Sequence, residues 1–257
     1  MSDLHPSEMK VMGLRAVLSV FAHRPAAIVR AYVHPDRMAQ LRELLRELAG
    51  RRVAYHVVDS EELRRVAASD HHEGVVLLVK RRPLVGRDEL LDLVARGSGP
   101  LTLLALDGVD NPHNIGAILR VAAHFGVPAV LLEAIEGDGL SSALVRTAEG
   151  GAELVDVAIV GELDQVLGRL AGLGFAIAAT SSHARDSLFE ARLPERIVFV
   201  VGGESQGVSE HILERATHRL AIPGCGAIES LNVATATAVL LAESFRRRSF
   251  QGDRDSA

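Results

Sequence analysis

Two rhythms of hydrophobic and polar positions run along this chain. In the first third, alternating stretches are separated by helical ones. VMGLRAVLSVFAHR (11–24) has apolar residues at helical spacing and stops at Pro25. IVRAYVH (28–34) alternates like a half-buried strand. Beyond Pro35, Leu41, Leu44, Leu45 and Leu48 mark a second helix. VAYHVVD (53–59) predicts another strand, Ser60 and Glu61 open a short helix, and GVVLLVK (74–80) predicts a third strand. Strands alternating with helices over this length predict a small α/β layer structure.

KRRPLVGRDE (80–89) interrupts the pattern with charge, Pro and Gly. RDELLDLVARGSGP then gives a short helix and a flexible stop. This places a domain over residues 1–82, a linker over 83–99 and a second domain over 100–249, followed by a disordered tail at 250–257.

The second rhythm begins at Pro100. LTLLALDGV (101–109) is an almost continuous apolar run, as expected of a strand covered on both faces. IGAILRVAAHFG (115–126) predicts a helix, PAVLLEA (128–134) a strand, LDQVLGRLAGLG (163–174) a helix and FAIAATSS (175–182) a strand. RIVFVVGG (196–203) and RLAIP (219–223) predict strands, and LNVATATAVLLAESFRRR (231–248) the last helix. Apolar strands alternating with helices predict a mostly parallel sheet with helices on both faces.

Composition narrows the picture. The chain has 257 residues, 48% of them hydrophobic, enough for a substantial core, and with no Trp that core is aliphatic. The one cysteine, Cys225, excludes an internal disulfide framework and suits a reducing, cytoplasmic setting. No uncharged apolar run reaches membrane-spanning length, so no membrane association is expected. Net charge is −5, but unevenly spread: residues 1–97 carry 16 basic against 13 acidic residues, and residues 98–257 carry 12 against 20. That asymmetry suggests two modules with different duties.

The candidate chemistry gathers in three loops that follow strands, where open α/β sheets usually bind ligands. In DGVDNPHNIGAILR (107–120), Asn114 is a candidate helix N-cap, and Arg120 lies off the apolar stripe. FVVGGESQGVS (199–209) invites a dinucleotide reading. Glu204 stands where the fingerprint's middle Gly belongs, however, and would repel a pyrophosphate, which disfavours an oxidoreductase. In IPGCGAIESLN (222–232) a flexible loop leads to Ser230, a candidate cap, and to Asn232, a mediocre helix former that more often points at something. His71, His72 and His113 lack metal-ligand spacing, no Walker loop is present, and Cys225 has no evident base partner. The residues on offer suit binding and positioning rather than covalent catalysis.

NPHNIGAILR, GGESQG and IPGCGAIESLN together resemble the three motifs of the SpoU/TrmH family of RNA 2′-O-ribose methyltransferases, in the same order, across residues 100–248. GLRAV near the start and HHEGVV at 71–76 resemble the substrate-binding domain often found before it, a ribosomal L30e-like fold. The resemblance implies a knotted (trefoil) methyltransferase domain behind that small α/β domain. It also implies S-adenosylmethionine as cofactor with no metal, a homodimer, and RNA as substrate, ribosomal RNA before transfer RNA. Gly202, Gly203, Ile222, Pro223 and Leu231 match cofactor contacts. Asn114, Arg120, Glu204, Ser230 and Asn232 match the catalytic positions, with Glu204 expected to hold Arg120 or Asn114. Val121, Glu149 and Gly224 depart from the family pattern, Glu149 standing where a small or hydroxyl residue is usual. Arg15, Arg51 and Arg52 are candidate phosphate contacts. The competing reading is a non-catalytic RNA-binding or ribosome-assembly factor that keeps the fold.

Overall fold

The computed structural model describes residues 5–137 and 139–250. The tail expected to be disordered lies outside the described residues from position 251 onward.

The first unit is a four-stranded sheet built from β1 (Glu8–Met12), β2 (Ile28–Val33), β3 (Tyr55–Val57) and β4 (Val75–Lys80), in the order β1-β4-β2-β3. Helices α1 (Leu14–His23), α2 (Arg42–Gly50) and α3 (Ser60–Ala67) surround it. The helix expected from residue 11 begins later, because residues 8–12 pair antiparallel with β4. Gly13, at φ 89°, makes the turn between strand and helix, a backbone region costly for other residues.

The second unit is an eight-stranded sheet in the order β10-β12-β9-β11-β6-β7-β8-β5, with every pairing parallel. Its strands are β5 (Val85–Gly86), β6 (Leu101–Asp107), β7 (Ala129–Leu132), β8 (Asp156–Ile159), β9 (Ala176–Thr180), β10 (Asp186–Ser187), β11 (Arg196–Gly202) and β12 (His218–Ala221). The helices are α4 (Arg87–Ala95), α5 (Pro112–His124), α6 (Ser142–Thr147), α7 (Gly151–Leu154), α8 (Leu163–Gly172), α9 (Glu210–Arg215) and α10 (Val233–Phe250). Side-chain alternation sorts the core into two layers. Leu104, Leu106, Phe199 and Val201 face α5 and α10, whereas Leu103, Ala105, Val198 and Val200 face α4, α8 and α9. This is the mostly parallel, two-faced α/β fold predicted.

Residues 83–99 do not form a free linker. β5 extends the second sheet beside β8, and Leu90, Leu91 and Val94 of α4 are buried under it. The glycines after α4 are also tied down: Arg196 donates to the carbonyls of Val94, Gly97 and Gly99 and stacks 4.3 Å over Phe175. The run of charge and glycine concealed β5 and the packing of α4, which buries Leu90, Leu91 and Val94 and leaves Leu93 exposed.

The two units share one apolar core, which runs from Val11, Val17 and Val20 to Ala148 and Ala152. Polar ties fix its edge. Arg24 grips the buried carboxylate of Glu153 through two hydrogen bonds, and Arg82 donates to the carbonyl of Ala152 (2.8 Å) and to Asp156. At the other end, Arg246 and Arg247 both bond the buried Glu243, while Arg247 also donates to the carbonyls of Leu188 and Ala191, binding α10 to the loop before β11. Those guanidiniums, Arg246 first, hold the Glu243 carboxyl down at about 2, against the opposing effect of burial.

Candidate active site

The three loops singled out in the sequence follow β6, β11 and β12, at the carboxyl edge of the second sheet. Three side chains meet there. Glu204 Oε1 accepts from Asn114 Nδ2 (3.1 Å) and from Asn232 Nδ2 (2.6 Å). Asn232 Nδ2 also donates to Asn114 Oδ1 (3.1 Å). Residues 90 and 118 positions apart thus close into one hydrogen-bonded triangle. It lies at the surface, with Glu204 and Asn232 exposed and Asn114 half-buried.

Local structure explains why these side chains are free to meet. Asn111, not Asn114, caps α5: its side chain accepts from the N–H of His113, with Pro112 in the first turn. Asn114 therefore keeps its amide for the cluster. Likewise Ser230 is not the cap of α10. Asn232 is, its Oδ1 accepting from the N–H groups of Ala234 (2.9 Å) and Thr235 (3.4 Å). Its two ends do different work, Oδ1 on the helix and Nδ2 on Glu204. Ser230 lies exposed in the loop, outside the triangle.

Asp107 has a part that sequence reading missed. Its carbonyl accepts from Gly203 N–H and its carboxylate from Ser209 N–H (2.7 Å), so both ends of the Glu204 loop hang from the end of β6. A polar residue closing an apolar strand was the available signal. Gly202 and Gly203 are required by packing. A Cβ on Gly202 would lie 1.9 Å from the Gly207 carbonyl carbon, and one on Gly203 2.4 Å from the Gly108 oxygen.

The third loop supplies a different chemistry. Residues 223–232 are all exposed, and among the described residues no intramolecular partner accepts from the backbone N–H groups of 224–232. Ile222 is half-buried at its start and Leu231 half-exposed at its end. A segment with spare backbone donors, apolar flanks and a neighbouring carboxylate fits a flat heterocycle with polar edges and a cationic centre.

Arg120 is not part of the triangle. It lies six residues beyond Asn114, about 9 Å along α5. Its Nη1 sits 2.9 Å from Glu149 Oε1, so the expected Glu204–Arg120 contact is absent and Glu204 holds Asn114. Glu149 adopts φ 45°, uncommon for a residue other than glycine. Its second oxygen is 3.6 Å from Arg15 Nε of the first unit. These three groups border a cleft of about 430 Å³ between the units, with Ser19, His124 and Phe125 on its walls. Arg51 is engaged elsewhere, donating to the Pro25 carbonyl (2.6 Å), and Arg52 sits in a left-handed turn after α2. No cluster of His, Cys, Asp and Glu that could hold a metal occurs among the described residues.

This fold, with its polar loops at the sheet's carboxyl edge, defines a class of transferase. Residues 102–242 match the SpoU rRNA methylase family, and residues 10–85 match the substrate-binding domain of RNA 2′-O ribose methyltransferases. The chain belongs to the SpoU methylase family. It is 35% identical over 246 residues to the 23S rRNA (guanosine-2′-O-)-methyltransferase RlmB of Bordetella pertussis, covering 94% of this chain and 98% of that one. It is 36% identical over 243 residues to the uncharacterized tRNA/rRNA methyltransferase YfiF of Escherichia coli O157:H7, covering 93% and 68%. The fold matches that of the SpoU methyltransferase AviRb from Streptomyces viridochromogenes, solved with AdoMet, at a TM-score of 0.77, with 23% identity over 95% of this chain and 91% of that one.

Proposed function

We propose that this protein is an S-adenosylmethionine-dependent RNA 2′-O-ribose methyltransferase that acts on ribosomal RNA in the cytoplasm as a homodimer. The observation that carries the reading is the Asn114–Glu204–Asn232 triangle, assembled from three separate loops beside the donor-rich 222–232 segment. Residues 1–82 would bind the RNA and residues 100–249 perform the transfer, with β5 and α4 completing the second unit.

Gly202, Gly203, Ile222, Pro223 and Leu231 would hold the cofactor, whose sulfonium supplies the methyl group. The protein's task is to align the ribose 2′-oxygen for in-line attack and to keep competing water away. Glu204, fixed by two amides, and Ser230, in the exposed loop two residues before Asn232, would orient the reacting hydroxyl. A guanidinium offers donors and no acceptor, so Arg120 serves as an orienting cation on an RNA phosphate. The 2′ proton therefore leaves to water or a carboxylate within reach, not to Arg120.

Two features support the assembled form. Arg120 stands apart from the triangle within one chain, and Ile228, Leu231 and Phe245 are exposed apolar residues that a second copy would cover. The trefoil knot belongs to this reading through the family match over residues 102–242. No helix among the described residues is long and apolar enough to cross a membrane.

The test is methyl transfer from labelled S-adenosylmethionine to total RNA from cells lacking this gene, resolved by size, with Arg120→Ala as control. Label in the large ribosomal species, absent with the variant, supports the reading. Label confined to the transfer RNA class redirects the substrate. Cofactor binding without label in any class favours the RNA-binding factor.

A further inference from the structure

The cleft between the two units holds an arrangement that the transfer chemistry does not explain. Two guanidiniums from different units converge on the two oxygens of one carboxylate: Arg120 on Glu149 Oε1 at 2.9 Å, and Arg15 on Oε2 at 3.6 Å. Two arginines closing on paired oxygens is also the geometry that binds a phosphodiester. The carboxylate is the protein's own, and it sits on a closely packed backbone. Gly150 follows at φ 98° with its Ser19-facing side closed: a Cβ there would lie 2.8 Å from Ser19 Cβ. A Cβ on Gly151 would meet the Leu119 carbonyl oxygen at 2.6 Å. Ser19 Oγ also donates to the Gly150 carbonyl (3.0 Å). The turn is packed between α1 and α5, whereas the Glu149 side chain reaches solvent.

The three charged side chains remain within reach of solvent, with exposures of 76% for Arg15, 55% for Arg120 and 37% for Glu149. Ion pairs this exposed are weak and exchange readily. Beside them is about 430 Å³ of open cleft, lined by Val121, His124 and Phe125, which is room for a phosphate with its ribose.

We propose that this cleft is a phosphodiester subsite shared by the two units, and that Glu149 is its resident competitor, which an RNA phosphate displaces from Arg15 and Arg120. The proposal rests on the RNA methyltransferase reading and deepens it: the phosphate contact of Arg120 gains a second arginine, Arg15, and a built-in threshold for occupying it. An RNA that does not reach both arginines leaves Glu149 in place.

Fluorescence anisotropy with a short, labelled, mixed-sequence RNA over a potassium chloride series tests this on the full chain. Glu149→Asn removes the charge and keeps a residue that tolerates the left-handed turn. It should tighten RNA roughly three- to tenfold at low salt and steepen the log–log salt dependence by about one counterion, because the wild-type carboxylate recaptures a cation when displaced. Arg15→Ala should weaken binding and remove most of that gain in the double variant. Glu136→Gln, an exposed acid away from the cleft, controls for net charge. The proposal is overturned if Glu149→Asn binds like wild type, if the gain survives without Arg15, or if Glu136→Gln gives the same gain. The methyl-transfer assay reports separately. Transfer with an unchanged anisotropy pattern sinks the subsite alone, and the anisotropy pattern without transfer sinks the enzyme reading alone.

Discussion

The two ends of α5 do opposite kinds of work. At the amino end, Asn114 joins Glu204 and Asn232 in a triangle that contains a single charge and whose contacts all lie within the second unit. At the carboxyl end, Arg120 belongs to a chain of three charges that reaches across to the first unit. The amino-end contacts are directional amide bonds, one of which also caps a helix, so the geometry is set before any ligand arrives. The carboxyl-end contacts are exposed ion pairs, which contribute little to stability and are easily traded. On the proposed reading, one helix carries a preorganised reaction centre and an exchangeable docking point.

The largest expected effect separates the two ends. Arg120→Ala should lower methyl transfer by at least about thousandfold, roughly 4 kcal/mol, while S-adenosylmethionine affinity by calorimetry stays within about threefold. Parallel loss of both would erase the distinction. Next comes a contrast between two of the charged links joining the units. Arg24→Ala strands the buried Glu153 carboxylate and should cost about 3 kcal/mol in denaturant unfolding, whereas Arg15→Ala should cost less than about 0.5 kcal/mol. Similar losses would show that the outer pair is structural after all.

A third effect concerns the far end of α10. The Glu243 carboxyl is held at about 2, below its ordinary 4.5, by Arg246 and then Arg247. A depressed folded-state value means stability that is present above the unfolded value and lost as pH falls from about 4.5 towards 2, on the order of 2 kcal/mol. Acid unfolding of Glu243→Gln should lack that part of the slope; an unaltered slope would mean that the pair contributes nothing. The smallest effect is the most discriminating for the triangle. Asn232→Ala should lose about 1 kcal/mol of stability with the cap and also lose transfer. Asn232→Ser, which can still cap, should recover the stability but not the transfer. Recovery of both would remove the Nδ2–Glu204 bond from the mechanism.

Much of this was legible in the sequence, for reasons that differ by element. β4, β6 and β11 are apolar runs with few alternatives, and the structure has them within a residue or so of their expected bounds. β8 was missed, being only four residues long, and β5 was hidden by flanking charge, whereas α4 was read as the short helix it is. The triangle's three members were all named from the loops. Their division between cap and contact was misjudged at both helices, although Pro112 just after Asn111 was the signal that favoured Asn111. The Arg120–Glu149 pairing was not legible at all. It depends on a left-handed turn at residue 149, and nothing in the local pattern announces which distant arginine such a turn will face.

The ties at Arg24 and Arg82, with the apolar core continuous beneath them, leave no hinge between the units. The span from the surface of the first unit to the Glu204 triangle is therefore a constant of the molecule. If the first unit grips the RNA and the triangle is the reaction centre, as proposed, the nucleotide presented is the one that falls at that fixed reach, and the protein selects its target as a gauge does, by distance along a folded strand.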